Sequence, residues 1–235
     1  MKGRLFLIPS PLGDNDPAEV IPAGVLSMLP SISTYVVEAV RTARRYLSAA
    51  GLKGHVQDLE FHELNEHTTP EEVEALMKLF DDGRDVGLIT EAGLPAVADP
   101  GAQLVRLCHR HGVEVVPMSG PSSLMLALMA SGLNGQSFAF LGYLPAKTED
   151  RRQALRSIEK HSSTARQTKI FIETPYRNDS LLADILSVCK ADTEVCIAAN
   201  ITMPDAFIRT KTAGEWKKSV PTIGKRPCVF LILGH

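Results

Sequence analysis

Three short loops rich in glycine and proline contain the residue types that best fit a ligand site. They are residues 9–14 (PSPLGD), 90–101 (TEAGLPAVADPG) and 119–123 (SGPSS), and each follows a short apolar run. Glycine lets a backbone approach a ligand closely, and proline stiffens a loop. In an open α/β sheet, ligands bind beyond the carboxyl ends of the strands. The pattern therefore predicts a small-ligand site at that edge, although tight turns that only join strands to helices have the same composition.

Common cofactor and metal motifs are absent from the sequence. No GxGxxG follows the first apolar run, and no GxxxxGK[ST] occurs anywhere in the chain. The four cysteines form no CxxC pair, which argues against both a zinc site and a disulfide framework. They are Cys108, Cys189, Cys196 and Cys228. We therefore expect reduced thiols and no metal.

The loops must be positioned by the elements that alternate along the first half of the chain. Strands are expected at 5–8, 34–38, 58–61, 85–89 and 113–117, with helices at 41–50, from Pro70 onward and at 101–111. This alternation of strand and helix predicts a mostly parallel sheet with helices on both faces.

The second half has a different pattern. Strands are expected at 137–141, 169–173, 194–198, 207–212 and 228–233, with helices at 122–131, 149–160 and 177–188. The last strands follow one another without a long helix, so part of this sheet should be antiparallel. Residues 122–131 are apolar nearly all round, which predicts a helix buried on every side. The chain is thus predicted to be an α/β protein of two domains, 1–117 and 118–235.

Composition excludes several classes of protein. Of the 235 residues, 44% are hydrophobic and 22% are charged, which excludes intrinsic disorder. The longest apolar stretch, Leu124–Ala130, is far shorter than the roughly 20 residues that span a bilayer. The apolar run Leu5–Ile8 is also shorter than the about 7–15 residues of a signal-peptide core. We expect a cytoplasmic protein without a membrane partner.

The net charge of −2 hides an asymmetry between the two halves. Residues 1–117 carry a net −7, and residues 118–235 carry a net +5. The positive half is suited to an anionic substrate such as RNA, or the two halves attract each other. Candidates for holding an RNA backbone are Lys147, Arg151, Arg152 and Arg156, together with the cations between 209 and 226.

A longer ordered pattern fills the middle of the chain: TEAGLPAVADPG, then VVPMSGPSSLMLALMASGL, then FLGYLPAK. It resembles the ribosomal RNA branch of the tetrapyrrole methylase family, which includes a 2′-O-ribose methyltransferase that acts on a cytidine of small-subunit rRNA. Leu5–Gly13 and Lys169–Arg177 resemble further family segments, so the resemblance covers the whole chain. It implies two α/β domains, S-adenosylmethionine in the cleft between them, and a homodimer.

The resemblance also implies which residues contact S-adenosylmethionine. Glu91 stands where the family has Asp, so a carboxylate is kept with a longer reach. The cofactor is a sulfonium cation with an adenosine and an amino-acid tail, which suits backbone polar groups, an apolar slot and a carboxylate. The implied contacts are Pro11, Glu91, Ala92, Gly93, Leu94, Val97, Ala98, Ser122, Ser123, Ile172, Asn200 and Pro227.

Candidate catalytic residues come from two other segments that match the family. His62, Glu63 and Asn65 keep three residues of a His-Glu-His-Asn motif, and Arg41 keeps the last residue of an Ala-Glu-Asp-Thr-Arg motif. As a general base, His62 would take the proton from an attacking hydroxyl, because its unperturbed pKa lies near neutrality. A surface role for this histidine is the alternative.

Several charges of the family are missing from this sequence. The positions that lose a charged or ionisable family residue are Ala39, Leu64, Ala199, Asn200 and Met203. The leading hypothesis is a methyltransferase that acts on a ribose hydroxyl of small-subunit rRNA. Because of the losses, two alternatives stay open: methylation of a small molecule such as a tetrapyrrole, and an S-adenosylmethionine-binding module without catalytic activity.

Overall fold

The computed structural model describes residues 2–235 and divides into two compact units between Ser122 and Ser123. This division falls five residues after the boundary predicted at 117/118, because the loop after the fifth strand stays on the first unit. The Met118 amide donates a hydrogen bond to the Leu7 carbonyl oxygen (3.0 Å). No helix within residues 2–235 is long and apolar enough to cross a membrane.

The first unit is a five-stranded parallel sheet in the order β3-β2-β4-β1-β5. The predicted parallel sheet is therefore confirmed. Its strands are β1 (Arg4–Leu7), β2 (Thr34–Val37), β3 (Glu60–Glu63), β4 (Val86–Ile89) and β5 (Glu114–Pro117). Its helices are α1 (Pro17–Val20), α2 (Ala23–Met28), α3 (Val40–Leu47), α4 (Pro70–Ala75) and α5 (Ala102–His111).

Both faces of this sheet are buried. Successive residues of a strand point to opposite faces. In β2, Tyr35 and Val37 pack into one apolar cluster and Val36 packs into the other. Apart from Arg4 and Thr34 at their first positions, the central strands carry no polar side chain, and polar groups at their carboxyl ends come from the loops.

The second unit is a mixed sheet in the order β6-β7-β10-β8-β9. Strands β6 and β7 are parallel, and the remaining pairs are antiparallel, which confirms the predicted mixed sheet. Its strands are β6 (Phe138–Tyr143), β7 (Thr168–Ile172), β8 (Glu194–Ala199), β9 (Phe207–Thr212) and β10 (Cys228–Leu233). Its helices are α6 (Ser123–Ser131), α7 (Thr148–Ala165), α8 (Asn178–Val188) and α9 (Ala213–Trp216).

Helix α6 differs from its prediction. Leu124, Ala127 and Leu128 are buried, but Met125 and Met129 are 44% and 77% exposed. The prediction of a helix buried on every side is therefore wrong. An all-apolar segment has no hydrophobic periodicity, so the sequence cannot indicate which side faces away from the sheet.

Helix α7 is fastened to helix α8 by a buried ion cluster. Arg151 Nε donates to Asp184 Oδ2 and Arg152 Nε donates to Asp184 Oδ1, both at 2.7 Å. Only 3% of the Arg151 side chain and 4% of the Asp184 side chain are exposed. Arg151 is thus unable to reach an RNA phosphate, and its partner lies in its own half of the chain. Both roles considered for Arg151, RNA contact and pairing with the acidic half, are wrong.

We expect Arg151→Ala to destabilise the protein by about 3 kcal/mol. Breaking a buried ion pair costs about 3–5 kcal/mol because one charge stays buried, and Arg152 still neutralises part of the Asp184 charge. The exposed Arg156 on the same helix is the control, and Arg156→Ala should change stability by less than about 0.5 kcal/mol. Equilibrium urea unfolding measures both, and equal stability of the two variants would contradict the buried cluster.

Candidate functional site

The loops after β1 and β4 are joined through their backbones. The Ser10 amide donates to the Gly93 carbonyl oxygen (2.9 Å), and the Gly93 amide donates back to the Ser10 carbonyl oxygen (3.1 Å). The Ser10 hydroxyl, which is buried, donates to the Thr90 carbonyl oxygen (3.1 Å). Two of the three loops rich in glycine and proline therefore lie side by side at the carboxyl edge of the sheet.

The third loop lies against the other two and leaves no room for side chains at two glycines. A Cβ on Gly120 would come within 2.1 Å of the Pro9 Cβ. Gly93 has φ of +79°, and a Cβ there would lie 3.1 Å from Leu12 Cδ2 and 3.5 Å from the Pro121 carbonyl oxygen. A left-handed φ favours glycine. The three loops thus form one backbone surface.

The remaining sequence-predicted residues of the second loop lie on its outer part. Ala92 and Ala98 are exposed, Leu94 is half-buried, and Val97 is 45% exposed. Ala98 adopts a positive φ of +62°. These residues are accessible to a ligand and are not part of the apolar core.

A cavity of about 230 Å³ opens beside the joined loops. It lies between the carboxyl ends of β1 and β4 and one side of helix α3. Two of the sequence-predicted cofactor residues, Pro11 and Glu91, line it together with Ser10, Thr42, Arg45, Tyr46 and Thr90. Helix α3 therefore contributes residues to this cavity that the sequence analysis did not assign.

An acidic cluster borders this cavity. The Glu91 amide donates to Glu38 Oε2 (3.0 Å), and the Thr42 hydroxyl donates to Glu91 Oε1 (2.9 Å). Burial raises the pKa of the Asp99 carboxyl to about 6, and the negative charges of Glu38 and Glu91 add to this rise. The nearby Thr90 side chain opposes this rise in the pKa of Asp99.

Thr90 Oγ1 is buried and has no hydrogen-bond partner within residues 2–235. A buried hydroxyl without a partner is costly, which points to a group that binds there. The sequence analysis missed Glu38, Thr42, Thr90 and Asp99 as site residues. The signal was present, since Glu38 directly follows β2 and Thr90 directly follows β4, but only the sheet order places these strand ends side by side.

Within residues 2–235, no hydrogen bond or ion pair joins the four candidate catalytic residues to one another. His62 and Glu63 lie on β3, the edge strand, and His62 Nε2 lies 2.9 Å from Glu60 Oε1. Asn65 Oδ1 accepts a hydrogen bond from the His67 amide (3.0 Å) in the following turn. Arg41 is exposed on the first turn of α3. Their catalytic roles remain predictions.

In the second unit, three predicted cofactor residues lie at one end of the mixed sheet. Ile172 is the last residue of β7 and pairs with Val229, and the Asn200 amide donates to the Pro227 carbonyl oxygen (2.9 Å). Glu173 follows Ile172, and its Oε2 is buried without a partner among the described residues. Its Oε1 accepts hydrogen bonds from the Thr174 amide and the Arg177 guanidinium.

The two remaining predicted cofactor residues, Ser122 and Ser123, flank the division between the units.

Comparison with known proteins gives the same fold and activity class. The family model described as Tetrapyrrole (Corrin/Porphyrin) Methylases matches residues 24–217. The "Ribosomal RNA small subunit methyltransferase I" of Vibrio cholerae is 33% identical over 98% of this chain and 77% of its own length. The protein of the same name from Escherichia coli O157:H7 is 30% identical over 100% of this chain and 79% of its own length.

A solved structure with the same fold is the uroporphyrin-III C-methyl transferase of Thermus thermophilus complexed with S-adenyl homocysteine. It aligns with a TM-score of 0.59 at 18% identity, over 98% of this chain and 97% of that chain. The family match covers most of the chain, and the relatives cover nearly all of it. The chain belongs to the tetrapyrrole methylase family and is a methyltransferase.

Proposed function

We propose that this chain transfers the methyl group of S-adenosylmethionine to a ribose 2′-hydroxyl of small-subunit ribosomal RNA. The observation that carries the proposal is the similarity, over nearly the whole chain, to relatives named for methylation of that RNA. We further propose that the protein works in the cytoplasm, where it would meet the small ribosomal subunit.

The residues at the candidate site fit S-adenosylmethionine. Gly93 lets the loops after β1, β4 and β5 pack closely beside the cavity, so that their backbone groups can face a ligand. Thr90 Oγ1 is buried without a partner among residues 2–235 and is available to a hydroxyl or amino group of a ligand. When bound, this cofactor supplies an electrophilic methyl group on a sulfonium. In our proposal, the carboxylates of Glu38 and Glu91 stabilise that positive charge.

Methyl transfer to an alcohol depends mainly on the alignment of the methyl donor with the attacking hydroxyl oxygen. The carbon–sulfur bond breaks as the carbon–oxygen bond forms, and the hydroxyl proton must leave to a base. Rigid loops that hold the reacting atoms in line can supply several kcal/mol of the barrier. In our proposal the loops after β1, β4 and β5 align the donor, His62 accepts the proton, and Arg41 contacts a phosphate of the acceptor strand.

Methylation of rRNA provides the decisive test of the proposed function. Small subunits from a strain that lacks this protein, incubated with the purified protein and deuterated S-adenosylmethionine, should gain one labelled 2′-O-methylnucleoside. Nuclease digestion and mass spectrometry identify that product. Label on a base or on no rRNA nucleoside would contradict the proposal. Label on an added tetrapyrrole would favour the small-molecule alternative.

Gly93→Val should weaken S-adenosylmethionine binding by about 100-fold or more. The substitution places a branched side chain against Leu12 and forces the joined loops apart. Gly54→Val is the matched control: Gly54 also has a positive φ (+89°), but a Cβ there has no neighbour within 4 Å. The control suffers the same backbone strain and should bind the cofactor normally. Calorimetric titration measures both, and wild-type affinity for the Gly93 variant would refute this placement.

We also propose that the protein is a homodimer. The second unit exposes large apolar side chains that a single copy leaves in water, among them Met129 and Tyr143 at 77% and 58%. Light scattering should give about 51 kDa, twice the 25.5 kDa of one chain. Met129→Glu, which places a charge on this apolar surface, should shift the mass toward the monomer. A mass near 25.5 kDa for the wild type at micromolar concentration would contradict the dimer.

A further inference from the structure

The excess positive charge of the second half is concentrated in one short segment. Residues 118–235 carry a net +5, and residues 206–227 alone contain six cations and one acid, which gives the same net +5. The remaining part, residues 118–205, contains nine cations and nine acids and is neutral. The six cations are Arg209, Lys211, Lys217, Lys218, Lys225 and Arg226. We call residues 206–227 the basic segment.

The fold gathers part of the basic segment on edge strand β9. Phe207, Arg209 and Lys211 alternate along this strand and so share one face. The Arg209 guanidinium lies 5.7 Å from the centre of the Phe207 ring, and the Arg226 guanidinium lies 6.0 Å from the same centre. Lys211 Nζ lies 4.8 Å from the centre of the Trp216 ring. Aromatic rings thus hold three cations of the segment on one strip.

These cations lack carboxylate partners. Within residues 2–235, none of the six forms an ion pair with an acid, in contrast to Arg151, Arg152 and Arg177 of the same unit. The only acid of the segment, Glu215, caps α9: its carboxylate accepts hydrogen bonds from the Thr212 amide and hydroxyl. Those bonds, and the charges of Lys211 and Lys218, lower its pKa.

The loop that carries Arg226 is fixed by helix α8. Asn178 Nδ2 donates to the carbonyl oxygens of Gly224 and Arg226 (3.2 and 2.8 Å). Asp179 Oδ1 accepts a hydrogen bond from the Ile223 amide (2.7 Å). Arg226 Nε donates to the Ile223 carbonyl oxygen, which orients its guanidinium. The strip is therefore a preorganised array of positive charge, and little side-chain entropy is lost when an anion binds.

We propose that the strip formed by Arg209, Lys211 and Arg226 binds the phosphodiester backbone of the RNA substrate. The proposal rests on the proposed function, which makes RNA the acceptor. Arginine presents planar, paired donors that match a phosphate, and phosphate contacts position a strand without reading its sequence. Cations without carboxylate partners at the edge of a sheet are available to such a strand, whereas the paired arginines of α7 are not.

The test compares two double variants that remove equal charge. Arg209→Gln with Lys211→Gln changes the strip and leaves the loop held by Asn178 intact. Lys160→Gln with Lys190→Gln changes two exposed cations of the same unit and is the control. Binding of a fluorescent single-stranded RNA of roughly 20 nucleotides is measured as a function of salt concentration.

The strip variant should lose about tenfold in affinity at low salt. Its log–log salt slope should fall by about 1.4, since each phosphate contact to a single strand contributes roughly 0.7. Its melting temperature and its affinity for S-adenosylmethionine should equal those of the wild type. The control variant should keep most of its RNA affinity and slope.

An unchanged slope in the strip variant, or an equal loss in the control, would overturn the proposal while leaving the rRNA methyltransferase function intact. Equal or tighter binding of poly-glutamate through the same two residues would assign the strip to acidic protein segments and would also overturn it. If the strip variant loses RNA binding but the wild type methylates no rRNA, the result supports RNA binding by the strip and contradicts the proposed function.

Discussion

Two backbone hydrogen bonds between Ser10 and Gly93 fix the separation of the loops after β1 and β4, and the third loop joins them only because Gly120 has no side chain. All three loops leave the same edge of a sheet whose central strands are apolar at their carboxyl ends. Polar groups at this edge therefore belong to backbone or to the first residues beyond each strand. A site built from backbone in this way depends on glycine positions and strand order more than on the chemistry of individual side chains.

The acidic cluster shows that this arrangement of loops is electrostatically unfavourable. Glu38, Glu91 and Asp99 come together because β2 and β4 are neighbours in the sheet, and the burial of Asp99 raises its pKa to about 6. Within residues 2–235, Asp99 has no cationic partner that would offset its burial. Perturbed acids beside a buried hydroxyl without a partner are typical of functional sites, because a stability requirement alone would select against both. A cationic cofactor is the kind of ligand that would relieve this repulsion.

The sequence predicted the bounds of strands more reliably than the burial and the contact partners of individual residues. Strands β9 and β10 were predicted at their observed bounds, because each is a short run with flanking turn residues. The environment of α6 and the partner of Arg151 could not be predicted. An apolar segment such as α6 has no periodicity to orient it, and Asp184 lies 33 residues from Arg151 on another helix. The loops were predicted as a site from composition, but Glu38 and Thr42 required knowledge of which strand ends are neighbours.

The family charges missing between β8 and β9 are compatible with this fold. Asn200 has a left-handed φ of +48°, which asparagine tolerates, and its amide still bonds to Pro227. Ala199 is fully buried in the sheet beside Cys228, where a charged side chain would be costly. The backbone at this end of the sheet is thus preserved although its side chains differ. Positive charge follows a few residues later on the edge strand, where Arg209 and Lys211 lie.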